Sequence, residues 1–178
     1  MTRWHPGQRR ADTKSMIRVD QAGEFGATRI YEGQLAVLRR NSPAAKLVAR
    51  MADQEKRHLD RFNAIMAERS IRPTALQPIW NVAGFALGAA TALMSEKAAM
   101  ACTEAVEIEI DRHYGQQLDE LGDDDPELAA DIAEFRADEL EHRDVAREAG
   151  AAQAVAYPVL TAAIRAGCRL AIGLSKRI

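Results

Sequence analysis

The chain is poor in aromatic residues, which make up 5% of its 178 positions, and rich in alanine, a balance that favours helices over strands. It has two cysteines, Cys102 and Cys168, far apart and without metal-ligand spacing. That pattern speaks against a cysteine zinc cluster and predicts free thiols in a reducing compartment. Neither sign of charge dominates: the net charge is −2 and the pI about 6.1, so no global basic field exists to attract nucleic acid. The opening segment carries Arg3, Arg9 and Arg10 but no apolar stretch, and no signal peptide is expected there. A long apolar run is also missing. Residues 73–95 contain no charge, but Pro73, Gln77, Pro78 and Asn81 occupy the start, and Val82 to Met94 falls short of the roughly 20 residues a membrane span takes. The length suits one well-cored domain, with residues 1–14 as a flexible lead-in and 15–178 as the folded unit.

What the chain does have is a repeated helical seam. Leu128, Ile132, Phe135, Glu139, His142, Ala146 and Ala149 follow one another in alternating steps of four and three, the pattern of a core-facing bundle helix. Ala44, Val48, Met51, Glu55, His58, Phe62 and Ile65 do the same, as do Ile17, Gln21, Glu24, Thr28, Tyr31, Leu35 and Leu38. A fourth segment turns Met100, Thr103, Glu107, Ile110, Tyr114, Leu118 and Leu121 inward. Ser42-Pro43 and Asp125-Pro126 are helix starts, and Gly150 is a helix stop. The predicted helices run over about 15–40, 43–69, 95–121 and from Pro126 to Gly150, with an uncharged crossover between the second and third. From Pro158 onward a short amphipathic helix carries Arg165, Arg169, Lys176 and Arg177.

The two halves match each other. A shift of 84 residues lays Glu55 on Glu139 and His58 on His142, and a shift of 83 lays Glu24 on Glu107 and Tyr31 on Tyr114. Each half thus offers one seam glutamate and one Glu-x-x-His pair, whose members share a helix face. A carboxylate or imidazole on a dry face costs several kcal/mol unless it finds a partner, and a metal ion suits both. Four glutamates and two histidines converging in an all-α four-helix bundle form the constellation of ferritin-like di-metal carboxylate proteins. An oxygen-rich set with one imidazole per metal favours iron or manganese over structural zinc.

Several residues have quieter readings. Glu109, Glu120, Glu134, Glu141 and Glu148 lie off the seam and read as solvated charge. Asp111, one turn after Glu107, is a candidate to orient a ligand histidine. His113 reads as an exposed or hydrogen-bonded histidine beside the seam. Tyr31 and Tyr114 read equally as core tyrosines or as a relay. The crossover is either a helix packed on the bundle or an interfacial element anchored by Trp80, with the basic residues of the last helix drawn to anionic headgroups.

At these residues the sequence closely resembles the demethoxyubiquinone hydroxylase family, the di-iron monooxygenases of ubiquinone biosynthesis. The likeness rests on residues 17–27 with their Ala22-Gly23-Glu24, on Asp53 to His58, on Trp80 to Gly88, and on Asp138 to His142. The resemblance implies two iron ions on Glu24, Glu55, His58, Glu107, Glu139 and His142. It also implies O2 as co-substrate, with one oxygen atom entering the ring of a polyprenylated methoxy-methyl-benzoquinol and the other leaving as water. It casts His113 and Tyr114 as an electron or proton relay, and names NADH or the quinol as the source of electrons; no Rossmann fingerprint favours nucleotide binding. A peripheral place on a membrane is implied, on the cytoplasmic face of a bacterial inner membrane or, in a eukaryote, the mitochondrial inner membrane. A lipid-binding partner protein is implied for some members, and a homo-oligomer is left open. The readings from other classes are a ferritin-like iron-storage protein and a structural bundle whose Glu and His merely pair.

Overall fold

The computed structural model describes residues 11–178, which fold into six α-helices: α1 (Thr13–Val37), α2 (Pro43–Glu68), α3 (Gln77–Met94), α4 (Glu96–Leu121), α5 (Pro126–Glu148) and α6 (Tyr157–Ser175). A 3₁₀ turn, Ala151–Gln153, joins the last two. Most of the expected lead-in lies outside the described residues, and Thr13 and Lys14 already belong to α1. Local chemistry sets the starts. Ser42 accepts from the Ala45 amide at 3.2 Å ahead of Pro43, Ser95 accepts from Ala98 at 3.0 Å, and Asp125 accepts from Leu128 at 3.2 Å ahead of Pro126. Gly150 takes the left-handed conformation, φ 98°, and ends α5 where the sequence predicts. The first helix stops at Val37, short of the expected Arg40.

α1–α2 and α4–α5 are antiparallel hairpins that together make the bundle, and α3 crosses between them along α1 while α6 lies on α4. The contact of α3 with α1 is backbone to backbone. A methyl group at Gly33 would overlap the Phe85 carbonyl, and one at Gly88 would overlap the Ile30 carbonyl, so only glycine allows this approach.

Burial follows the seams on the outer hairpin helices. α2 buries Ala44, Val48, Met51, Glu55, His58, Phe62 and Ile65, and α5 buries Leu128, Ile132, Phe135, Glu139, His142 and Ala146. α1 and α4 are buried on more than one side because α3 and α6 cover their backs. Two apolar clusters close the interior, one around Tyr31, Val48, Met51 and Met100, the other around Ile17, Phe62, Tyr114, Leu128 and Ile132. The polar residues of the seams lie between them.

One expectation about surface charge is corrected here. Glu109 is buried, 2% exposed, because α6 covers that side of α4. It accepts from Arg165 Nε at 2.6 Å and Arg169 Nη1 at 3.1 Å, so these two arginines clasp α6 onto α4. Lys176 and Arg177 remain exposed, as do Glu120, Glu134, Glu141 and Glu148.

Candidate metal centre

All six seam ligands expected from the sequence meet midway along the bundle, each 0–1% exposed. They form two overlapping groups, Glu24, Glu55, His58 and Glu139, and Glu55, Glu107, Glu139 and His142, with ligand atoms within 4.8 Å of one another. Glu55 and Glu139 belong to both. Glu139 shows the sharing directly: Oε1 lies 3.2 Å from His58 Nδ1 and Oε2 lies 3.4 Å from His142 Nδ1. Glu24 is 3.5 Å from His58 Nδ1, and Glu55 is 3.1 Å from His142 Nδ1.

The hydrogen bonds around this set leave a definite remainder. Tyr31 donates its hydroxyl to Glu107 Oε1 at 2.6 Å, and Tyr114 donates to Glu24 Oε1. Each half's tyrosine therefore reaches the other half's glutamate. His58 Nε2 bonds Asp138 Oδ2 at 3.0 Å, and His142 Nε2 bonds Gln54 Oε1 at 3.1 Å, which fixes both rings with Nδ1 inward. His58 also stacks on Phe135, ring centroids 4.1 Å apart. Eight buried atoms are then without a hydrogen-bond partner: one oxygen each of Glu24 and Glu107, both oxygens of Glu55 and of Glu139, and the two Nδ1 atoms. That is the donor set of two terminal carboxylates, two shared carboxylates and two imidazoles, and it fits a pair of divalent cations.

The electrostatics without metal are those of a crowded, dry site. Burial, then the neighbouring carboxylates, pushes Glu55 and Glu107 well above the usual carboxylate range, and burial raises Glu139 as well. Burial would lower His58, but the Glu139 and Glu24 carboxylates, 3.2 and 3.5 Å from Nδ1, outweigh it and hold the ring at about 10. Burial keeps His142 below its ordinary value. Burial also raises Tyr31 and Tyr114 well above 10, so both stay protonated donors.

His113 and Tyr114 part company. Tyr114 touches the centre through Glu24, whereas His113, 7% exposed, lies outside the ligand set with Nε2 3.3 Å from Asp20 Oδ1. The exposed reading of His113 therefore does not stand: the ring is buried at ion-pair distance from Asp20. Asp111 orients no histidine: it accepts from Arg136 Nε at 2.6 Å. The residues that do so, Asp138 and Gln54, come from across the bundle, and the sequence signal for them was the same 84-residue shift, which lays one on the other. Asp20 and Gln117 were also missed. Gln117 donates to Asp20 at 2.8 Å, and the shift of 83 maps this pair onto Thr103 and Gln34, where Gln34 donates to Thr103 at 3.4 Å.

A cleft of about 560 Å³ opens beside the centre. Its floor is formed by α1 and α4, with Gly23, Gly26 and Val106 in the lining, and its sides are α3 and α6, with Leu87 and Ile164. The lining is almost wholly apolar. α1 and α4 line the cleft and carry Glu24 and Glu107, so these two helices are a wall common to the cleft and the centre. At one end Trp80 Nε1 donates to Ser175 Oγ at 3.1 Å and ties α3 to α6. Cys168 stands in the lining, Cys102 is buried behind it, and burial pushes both thiols up to about 12.

Comparison with known proteins agrees with this arrangement. The chain is 57% identical over 162 residues to the 3-demethoxyubiquinol 3-hydroxylase of Rhodospirillum rubrum, covering 91% of this chain and 76% of that protein. It is 51% identical over 173 residues to the human mitochondrial NADPH-dependent 3-demethoxyubiquinone 3-hydroxylase, covering 95% and 79%. With the yeast mitochondrial 5-demethoxyubiquinone hydroxylase it shares 44% over 179 residues, covering 92% and 77%. The model of one family, described as ubiquinone biosynthesis protein COQ7, matches residues 11–175, and the chain belongs to that family.

Proposed function

We propose that the chain is a di-iron hydroxylase of ubiquinone biosynthesis that uses O2 to hydroxylate the ring of a demethoxyubiquinol. The proposed ligands are Glu24, Glu55, His58, Glu107, Glu139 and His142, with residues 15–178 acting as one ferritin-like domain. The observation that carries this reading is the set of eight inward-facing atoms left without partners between two apolar clusters. The names of the relatives supply the substrate class and the hydroxylation. Bound iron would supply the two-electron chemistry by which O2 is activated.

The chain's own residues do the rest. Glu55 and Glu139 each present two free oxygens, which suits them to bridge two cations. Asp138 and Gln54 fix the imidazole tautomers. Tyr31 and Tyr114 each donate to one oxygen of Glu107 and Glu24, which would leave the other oxygen of each glutamate to hold a cation. The apolar clusters keep bulk water from the centre. The cleft takes the polyprenyl tail, and the glycines of its floor let a flat ring approach the shared wall. His113 and Tyr114, with rings 6.3 Å apart, are the proposed route for protons or electrons toward Glu24. Electrons come from the quinol or from a reduced nicotinamide, NADH by the family resemblance or NADPH as in the human relative's name.

The same reading places the protein on a membrane surface, the cytoplasmic face of a bacterial inner membrane or the mitochondrial inner membrane. Among the described residues no helix is long and apolar enough to cross a membrane. Ile79, Val82, Leu93 and Met94 on α3 and Val159 and Leu170 on α6 are all more than half exposed, on the two helices that wall the cleft in which a lipid tail would lie, and Leu170 also lines it. A lipid-binding protein is a fitting partner for that surface.

The test is a single turnover. Iron-loaded, anaerobically reduced protein is given demethoxyubiquinol and then O2, and the ring-hydroxylated product is sought by mass spectrometry. Product with one added oxygen atom is expected. Oxidised iron without product would favour storage instead.

A further inference from the structure

The internal repeat allows one half of the centre to be compared with the other. Most features cancel: Glu24 pairs with Glu107, Glu55 with Glu139, His58 with His142, and the two tyrosine bonds cross in the same way. Three differences stand out: His58 stacks on Phe135 where the repeat has Met51, Asp20 stands where the other half has Thr103, and the partners on the outer edge of the imidazoles differ. His58 Nε2 donates to a carboxylate, Asp138 Oδ2, at 3.0 Å, while His142 Nε2 donates to a neutral amide, Gln54 Oε1, at 3.1 Å. The distances are nearly equal, so geometry does not separate the two. Charge does.

We propose that the two metal positions are unequal, the one on His58 holding a divalent cation more tightly than the one on His142, and that Asp138 against Gln54 sets the difference. This rests on the ligand set proposed above. A full negative charge on the Nε2 proton pulls it outward and leaves more electron density on Nδ1, the atom that faces the metal. The carboxylate also adds one unit of negative charge on that side of the centre. An amide oxygen orients its ring equally well but supplies neither effect. Exchanging such a partner changes metal affinity by about 10- to 100-fold. The half-loaded protein therefore carries its ion on Glu24, His58 and the shared carboxylates, and the position on Glu107 and His142 fills last and empties first.

The experiment is an anaerobic titration of the metal-free full chain with cobalt(II), read by calorimetry and by visible absorption, with helix content checked by circular dichroism. Wild type is expected to fill in two steps separated by about 10- to 100-fold. Asp138→Asn keeps the length and the hydrogen bond but removes the charge, and the steps should merge by weakening of the first. Gln54→Glu should merge them by strengthening of the second. The double variant Asp138→Asn, Gln54→Glu should restore two steps in inverted order, with the first ion beside His142 in the anomalous scattering of a half-loaded crystal. Equal steps in wild type, or a separation that survives Asp138→Asn in a folded protein, would overturn the inference alone. No cobalt uptake by wild type would overturn the ligand set itself, and this inference with it.

Discussion

The two flanks of the bundle are built in opposite senses. α2 and α5 turn Lys46, Arg50, Lys56, Arg57, Glu134 and Glu141 to solvent and bury a single stripe. Their ionisable ligands are the exception, carried inward at the middle of that stripe. On the other flank, α3 and α6 leave Val82, Leu93, Val159 and Leu170 between 64% and 74% exposed and keep an apolar cleft between them. The charged flank supplies both Glu-x-x-His pairs, and the apolar flank supplies the access. α1 and α4 stand between the two, each giving one glutamate to the centre and small residues to the cleft floor. On the proposed function, a greasy substrate and a charged metal pair would thus share a wall without sharing an environment.

That contrast yields tests of decreasing size. On the charged flank, Glu139→Ala removes a carboxylate common to both ligand groups, so iron per chain, measured by elemental analysis, should fall to near zero and hydroxylation by at least about 1000-fold. On the apolar flank, Gly26 has open space where a side chain would begin and lines the cleft. Gly26→Leu should keep its iron yet lose about 10- to 100-fold in kcat/KM for a long-tailed quinol, and less for a tail-less one. If both variants lost iron, the separation of the flanks would fail.

Next, replacing Val82, Leu93, Val159 and Leu170 together by serine should weaken binding to anionic liposomes by at least about 10-fold, given roughly 1.5 kcal/mol or more for each large apolar side chain fully withdrawn from water. Cosedimentation measures it, and unchanged binding would count against the apolar flank as the docking face. The smallest effect is a pH dependence confined to the charged flank. In the metal-free chain His58 is raised to about 10, so its stabilisation is whole below about 6.5 and is lost as the pH rises through 10. Glu55 and Glu107, raised by burial, keep protons that the unfolded chain gives up above 4.5, which acts in the same direction. The melting temperature of metal-free protein should drop by roughly 5–10 °C between pH 6 and pH 10, and bound metal should suppress the drop because metal replaces those protons.

The charged flank was the legible one. A ligand that interrupts a four-three seam is visible because the apolar residues around it fix the face, and the repeat supplied a second copy for comparison. Glu109 was misread because a seam reports only the side of α4 that faces the bundle, and nothing local to Glu109 shows that Arg165 and Arg169 will arrive from α6. Asp111 was misread for the converse reason. It sits one turn from Glu107, but the ligand histidines are on α2 and α5, and their partners come from the opposite hairpin. The cleft exists only once α3 has docked on α1 and α6 on α4, so no stretch of sequence announces it.

The eight unpartnered atoms at the centre also bear on how long a chain survives. Each buried polar atom without a partner costs about 1–3 kcal/mol, comparable with a good part of a small domain's total stability. An ion that binds only the folded chain returns stability in proportion to the logarithm of its free concentration. On the proposed ligand set, iron supply therefore governs not only how many molecules are active but how many escape proteolysis. A scarcity of iron would be read out as a scarcity of protein.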